Sequence, residues 1–288
     1  MSIRELSNPF KAYWHALQLT LEERGRLFAS PPPHGNRFFV ITLLLTCITG
    51  SALYLIDGYH TGFLPLNAFT APLPGTFWQG ITMIGDERFA LAIALLFALL
   101  YPRVLFALMI AAVIGTLYSR GLKPLFDMAR PPAVLEPGSF NLLMPPYHSN
   151  SFPSGHTLTA FLLLGVWAYY LASWRTLLML LALVAGISRV ALGIHWPVDL
   201  AAGAFGGLLA AWAGVHLAQR WHWGMRPIGH LLLLILPLIA AYLLIVDAGD
   251  YTKSAWMRLP VGTVALLTTL IGYLLLPWWK NRRSEEAE

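Results

Sequence analysis

Three short polar clusters interrupt an otherwise apolar chain. Lys123 and Arg130–Pro131 lie in the run KPLFDMARP, Pro153–Ser154–Gly155–His156 forms the second cluster, and Ser188–Arg189, His195 and Asp199 lie in SRVALGIHWPVD. Together they offer three fixed cations, two histidines, a carboxylate and a helix start, which are the groups needed to grip a phosphate and move it to a histidine. Arg grips phosphate oxygens through a planar fork and Lys as a point charge. Pro-Ser-Gly ahead of an apolar run reads as a helix N-terminus, whose free N–H groups attract anions. Asp199 follows His195 by four residues, within reach of one ring nitrogen. Such a bond fixes the tautomer and leaves the other nitrogen free to attack. Each cluster alone also has an ordinary reading: juxtamembrane cations touching headgroups, a capped helix start with an incidental histidine, and a His–Asp pair capping a helix entrance.

The setting narrows the choice. The 288 residues are 57% hydrophobic and 11% charged, against about 25% charged in a soluble domain. The chain therefore reads as an all-α, polytopic membrane helical bundle with several spans of ~20 residues. The formal charge of +5 is spread over loop ends, as the positive-inside rule expects, and gives no ground for a nucleic-acid partner. Cys47 is the single cysteine and falls inside an expected span, so no intramolecular disulfide forms. The polar start MSIRELSNPFKAYW lacks the apolar stretch of a cleavable signal.

Three regions are expected. Residues 1–37 form an interfacial amphipathic arm, with Phe10, Tyr13, Trp14, Leu17 and Leu21 at helical spacing. Residues 38–220 form the core, with spans near 38–56, 89–101, 104–122, 157–172, 176–193 and 198–218. Residues 221–288 add two spans, near 230–246 and 261–278, and a tail with Trp278, Trp279, Lys280, Arg282 and Arg283 as an interfacial anchor. The stretch FWQGITMIGD is too short to span and reads as a buried or interfacial helix. Residues 123–153 read as a long proline-rich loop of the kind that carries function. Gly203 and Gly207, with Ala202, Gly206 and Ala210, give the sixth span a surface for close helix packing. Eight spans place both termini on one side. The basic residues favour the cytoplasm for that side, and the three clusters then converge on the opposite, periplasmic face of an inner membrane.

Taken together, Lys-x6-Arg-Pro, Pro-Ser-Gly-His and Ser-Arg-x5-His-x3-Asp resemble the signature of the type 2 phosphatidic acid phosphatase (PAP2) superfamily. Lys123, Arg130, Pro131, Pro153, Ser154, Gly155, His156, Ser188, Arg189, His195 and Asp199 match in order and spacing. The resemblance covers the first six spans; the last pair is an addition to the six-helix core usual in that family. It implies that His195 is the nucleophile, that Asp199 orients it, and that His156 is the acid for the leaving oxygen and then the base for water. Lys123, Arg130, Arg189, Ser154 and the Gly155 amide would hold the phosphate oxygens. No metal and no other cofactor is implied, in keeping with the lack of HExxH, DxD or CxxC patterns. His148 is a lesser candidate for a substrate contact. Asp127 reads as a water-facing residue in preference to a partner of the cations, and Tyr147, Phe152 and Trp196 as lining for a lipid path.

The expected activity is a lipid phosphate or pyrophosphate phosphatase working through a phosphohistidine at the periplasmic face, with undecaprenyl pyrophosphate favoured. Phosphatidylglycerol phosphate, phosphatidate and lipid A are alternative substrates, and a phosphotransferase using the same site is a neighbouring reading. From another class, an inactive lipid-binding or transport protein would also carry the motif. The partners expected are the lipid substrate and the bilayer; the sequence does not set an oligomeric state.

Overall fold

The computed structural model describes residues 9–275; the expected anchor at Trp278–Arg283 lies outside them. The described chain is all-helical. α1 is Pro9–Arg26, α2 Gly35–Asp57, α3 Phe63–Thr70, α4 Gly75–Thr82, α5 Glu87–Leu96 and α6 Pro102–Phe126. A single turn, α7, follows at Pro131–Val134, then α8 Gly155–Tyr170, α9 Arg175–Ala191, α10 Pro197–Arg220, α11 Pro227–Val246 and α12 Ala255–Leu270.

Local chemistry sets the ends. Proline opens α6, α10 and α11 at the first turn, where its missing N–H costs nothing and its φ is already helical. Asp86 caps α5 by accepting from Arg88 N and Phe89 N at 2.9 and 3.2 Å. Ser154 caps α8. α9 stops at a turn in which Gly193 has φ of 81° and its Cα lies so close to the Asn141 carbonyl that a Cβ would meet it at 2.6 Å. Only glycine fits there, and this turn delivers His195.

The membrane bundle anticipated from composition is present, with a different count of full-length spans. Among the described residues, six helical stretches are long and apolar enough to cross a bilayer: Gly35–Asp57, Pro102–Val134, Ala172–Ala191, Pro197–Arg220, Pro227–Val246 and Thr252–Leu274. The second and fourth expected spans are α5, with 10 residues, and α8, with 16. At 1.5 Å per residue they reach about 15 and 24 Å, short of a hydrocarbon core of about 30 Å. FWQGITMIGD forms α4 and a 3₁₀ turn, Met83–Gly85, with Trp78, Thr82 and Met83 buried.

α8 and α10 make the centre. Along α10, Gly203 and Gly207 press against the backbone of α8, where a Cβ would come within 2.5 Å of the Ser154 carbonyl and 2.3 Å of the Leu158 carbonyl. Small residues allow this approach, and in lipid such van der Waals packing is a main source of helix association. α2 is the opposite case: only 6% of its apolar window is buried, and Leu44, Leu45, Ile48, Leu55 and Ile56 face outward. α1 is helical, with Leu17 and Leu21 in the core. Its last turn is tied to the bundle by buried Arg103, which donates to the carbonyls of Gly25 and Ala218 at 3.1 and 2.9 Å.

Candidate active site

Five helix ends, with the turn between α9 and α10 that carries His195, supply the groups singled out in the sequence. Lys123 stands in the last turn of α6, Arg130 at the N-cap of α7, and Ser154 to His156 at the start of α8. Arg189 lies in the last turn of α9, and Asp199 in the first turn of α10. The expected loop is therefore helical through Phe126. Lys123 and Arg130 do not share one helix, because Asp127 turns the chain in the left-handed region, with φ of 35°.

His195 is nearly sealed from solvent, 2% exposed, above Asp199, which is fully buried. Its Nδ1 lies 3.1 Å from Asp199 Oδ2 and its Nε2 lies 3.2 Å from Arg130 Nη1. A guanidinium can only donate, so Nε2 carries the lone pair and Nδ1 the proton that goes to Asp199. Arg130 is itself held by carbonyls, donating to Ser149 O at 2.9 Å, Ile194 O at 3.2 Å and Asn150 O at 3.3 Å. Burial, then the charges of Arg130, Arg189 and Lys123, hold the His195 imidazole well below its usual range. The ring is neutral at ordinary pH, with a lone pair aimed toward the arginine.

Asp199 receives more than the histidine. Ser151 Oγ donates to Oδ2 at 2.5 Å and the Trp196 N–H at 2.9 Å, and the Tyr59 hydroxyl donates to Oδ1. A buried carboxylate must be satisfied on both oxygens or it costs several kcal/mol. Burial and the adjoining carboxylate raise the Tyr59 phenol far above its usual range, so it remains a donor. Tyr59 comes from the α2–α3 turn, which the sequence reading did not single out.

Arg189, 3% exposed, donates through Nη1 to Thr82 Oγ1 at 2.8 Å and to the Tyr251 hydroxyl at 3.1 Å. Its Nε is buried with no partner. A buried cation with an unused donor is a ready anion contact. The Tyr251 hydroxyl also lies 2.7 Å from His156 Nε2. Ser154 is fully buried; its N–H donates to the Asp199 carbonyl at 3.1 Å, and its Oγ accepts from Thr157 Oγ1 at 2.9 Å. The second cluster and the third are thus joined through backbone. Lys123 lines one cavity with Gly155 and His156.

That cavity, about 860 Å³, runs from Lys123 and His156 along Leu91, Met109, Leu163 and Leu236. A second, about 640 Å³, is lined by Cys47, Tyr54, Tyr59, Phe126, Phe152 and Phe205. Phe152 lines this second cavity, whereas Trp196 is buried and donates to Ala129 O at 2.8 Å. The Tyr147 hydroxyl donates to Asp250, and Arg130 lies over its ring. His148 has an exposed side chain, and only its carbonyl takes part, accepting from Arg130 N at 3.0 Å. Asp127 is exposed and makes no ion pair among the described residues. Among the described residues no three His, Cys, Asp or Glu side chains converge as metal ligands.

Residues 100–223 match the family model of the PAP2 superfamily, a stretch that holds all eleven motif residues. Relatives narrow the comparison. A protein of Escherichia coli K12 assigned as an undecaprenyl-diphosphatase, YbjG, is 36% identical over 113 residues, 38% of this chain and 52% of its own. The bacitracin transport permease protein BcrC of Bacillus licheniformis is 34% identical over 102 residues, 35% of this chain and 49% of its own. The matched part therefore spans about half the length of these relatives. The crystal structure of Aquifex aeolicus LpxE aligns with a TM-score of 0.48 at 27% identity, covering 54% of this chain and 92% of that one.

Proposed function

We propose that this chain is a metal-independent lipid phosphate or pyrophosphate phosphatase that works through a phosphohistidine, with undecaprenyl pyrophosphate as the favoured substrate. The observation that carries this reading is His195: a buried, neutral imidazole whose Nδ1 proton is held by Asp199 and whose Nε2 lone pair faces Arg130. The name carried by YbjG supports the substrate. The apolar cavity that ends at Lys123 and His156 supports a lipid.

In this mechanism Nε2 of His195 attacks phosphorus as the bond to the leaving oxygen breaks, and His156 gives that oxygen a proton. The imidazolium character of the phosphohistidine is balanced by Asp199. Water then attacks phosphorus, its proton goes to His156, the N–P bond breaks and inorganic phosphate leaves. Lys123, Arg130 and Arg189, with the Ser154 hydroxyl and the Gly155 N–H at the first turn of α8, hold the oxygens where charge develops. Such fixed donors are usually the largest catalytic contribution.

The decisive measurement is phosphate release by the purified protein in detergent, with EDTA present, across undecaprenyl pyrophosphate, phosphatidylglycerol phosphate, phosphatidate and lipid A. Release from the polyprenyl substrate, an acid-labile phosphoenzyme on rapid quenching, and loss of both in His195→Ala are expected. Full turnover in His195→Ala would sink the assignment. The transport name of BcrC favours a second reading, a lipid carrier that retains the motif; transfer of lipid between vesicles without phosphate release would favour it. We also place the site at the periplasmic face and both termini in the cytoplasm, on the loop charges. A cysteine introduced in the 137–150 loop should react with an impermeant maleimide from the periplasmic side.

A further inference from the structure

The family match ends at residue 223, yet the site does not. The connection between α11 and α12, residues 247–254, folds back over it. Tyr251 is buried, 8% exposed, and its hydroxyl sits between two groups of the proposed machinery, 3.1 Å from Arg189 Nη1 and 2.7 Å from His156 Nε2. The connection is firmly held. Asp247 pairs with Arg88 at 3.2 Å, Tyr147 donates to Asp250, Lys253 N donates to Gln79 Oε1 at 3.1 Å, and Ser254 Oγ donates to the Tyr251 carbonyl at 2.7 Å. These partners come from α4, α5 and the 144–152 segment, so Tyr251 is fixed against the core from several sides.

The polarity of the chain of bonds follows from its first member. Arg189 only donates, so the tyrosine oxygen accepts there and its own proton is free for His156 Nε2. Among the described residues His156 has no hydrogen bond to a carboxylate; the orienting partner that His195 finds in Asp199 is, for His156, this hydroxyl.

We propose that Tyr251 is a positioning residue of the site, its hydroxyl setting the ring and tautomer of His156 while it orients the Arg189 guanidinium. The inference rests on the phosphatase reading above, and it makes the added helical pair part of the working site. A donor on Nε2 favours the neutral ring over the imidazolium. The cationic groups that also face His156 are Arg189, Arg130 and Lys123, with His195 beside them, and none of these loses its charge when the hydroxyl is removed.

The test uses the full-length protein in detergent, with kcat and KM measured across pH on the best lipid of the panel. In Tyr251→Phe the ring stays and the hydroxyl goes. kcat should fall about ten-fold, and the basic limb of the kcat/KM profile, set by protonated His156, should move up by about 0.5–1 pH unit, as loss of one hydrogen bond predicts. Fluorotyrosine at 251 keeps both ring and hydroxyl but donates more strongly, so the limb should move down; this arm also serves if Tyr251→Phe folds poorly. Thr82→Val, which removes the other acceptor of Arg189 without touching His156, should raise KM and leave the limb in place. An active wild type whose limb is unmoved by both changes at 251 overturns the inference alone. A wild type that releases phosphate from no lipid overturns the phosphatase reading instead.

Discussion

The two histidines of the site are held in opposite ways. His195 stands on a buried carboxylate that itself receives Tyr59, Ser151 and a backbone N–H, and its second nitrogen meets an arginine. His156 stands on a tyrosine hydroxyl passed on from an arginine, with no carboxylate behind it. A carboxylate stabilises the positive ring that a nucleophilic histidine becomes, whereas a neutral hydroxyl does little for a charged ring and leaves it readier to lose a proton. On the mechanism proposed above, the difference would separate a group that carries the phosphoryl cargo from one that lends and recovers a proton. It also reads differently along the chain: the carboxylate that holds His195 lies four residues on in the same motif, although Arg130 lies 65 positions upstream, whereas the hydroxyl that meets His156 lies 95 positions on, in the α11–α12 connection.

Breaking the His195 side should produce the largest effect. Asp199→Asn keeps the shape but changes which tautomer is held, and by analogy with other carboxylate-oriented histidines it should cut kcat about 10³- to 10⁴-fold; a drop below ten-fold in steady-state assays would contradict the role given to Asp199. The His156 side should break in a manner that depends on the leaving group. His156→Asn should fail on the lipid by about 10²- to 10⁴-fold but recover much of its rate on p-nitrophenyl phosphate, whose leaving group needs little protonation. Equal losses on both substrates would show that the two histidines are not divided in this way.

Packing offers a gentler test. Gly203→Ala would push a methyl against the Ser154 carbonyl, shifting the start of α8 and hence His156, Ser154 and Gly155. Overpacking of this kind costs about 1–3 kcal/mol, and a displacement near 1 Å can cost about 10²-fold in rate; Tm and kcat together should report it. The smallest expected effect concerns pH. His195 is neutral in the folded protein because its affinity for protons is depressed, while in the unfolded chain it takes up a proton near pH 6.5. Unfolded protein then binds more protons, so stability falls as pH drops below about 6.5. The loss of Tm between pH 7.5 and 5 should shrink in His195→Gln, and an unchanged loss would mean that the ring is not held neutral.

Much of this site was legible because helix ends and motif residues coincide. Ser154 before an apolar run, Pro197 ahead of Asp199 and Arg189 inside an apolar span each carry a local signal. Bundle architecture was legible in hydropathy, and the second expected span, at 89–101, already read as short, but the length of α8 was not legible: it is as apolar as neighbouring spans, and only its helix ends show that it falls short of a membrane thickness. Tyr59, Thr82, Ser151 and Tyr251 had no such signal. Tyrosines are common at membrane interfaces, and the bond from Tyr59 to Asp199 closes a gap of 140 positions, so nothing near either residue announces the other. Asp250–Tyr251 at the end of an apolar span was the one available hint, a polar pair on the same side of the bundle as the motifs.

The position of Tyr251 also bears on how the protein is made. Helices enter the bilayer in the order of synthesis, so both histidines, Asp199 and all three cations are in place while α11 and α12 are still to come. On the mechanism proposed above, the nascent chain would pass through a stage with its nucleophile set and its proton donor unsupported, until α11 and α12 bring Tyr251 into place. Biogenesis would then act as a timer, keeping a half-built chain from working on the lipids of the membrane it is entering.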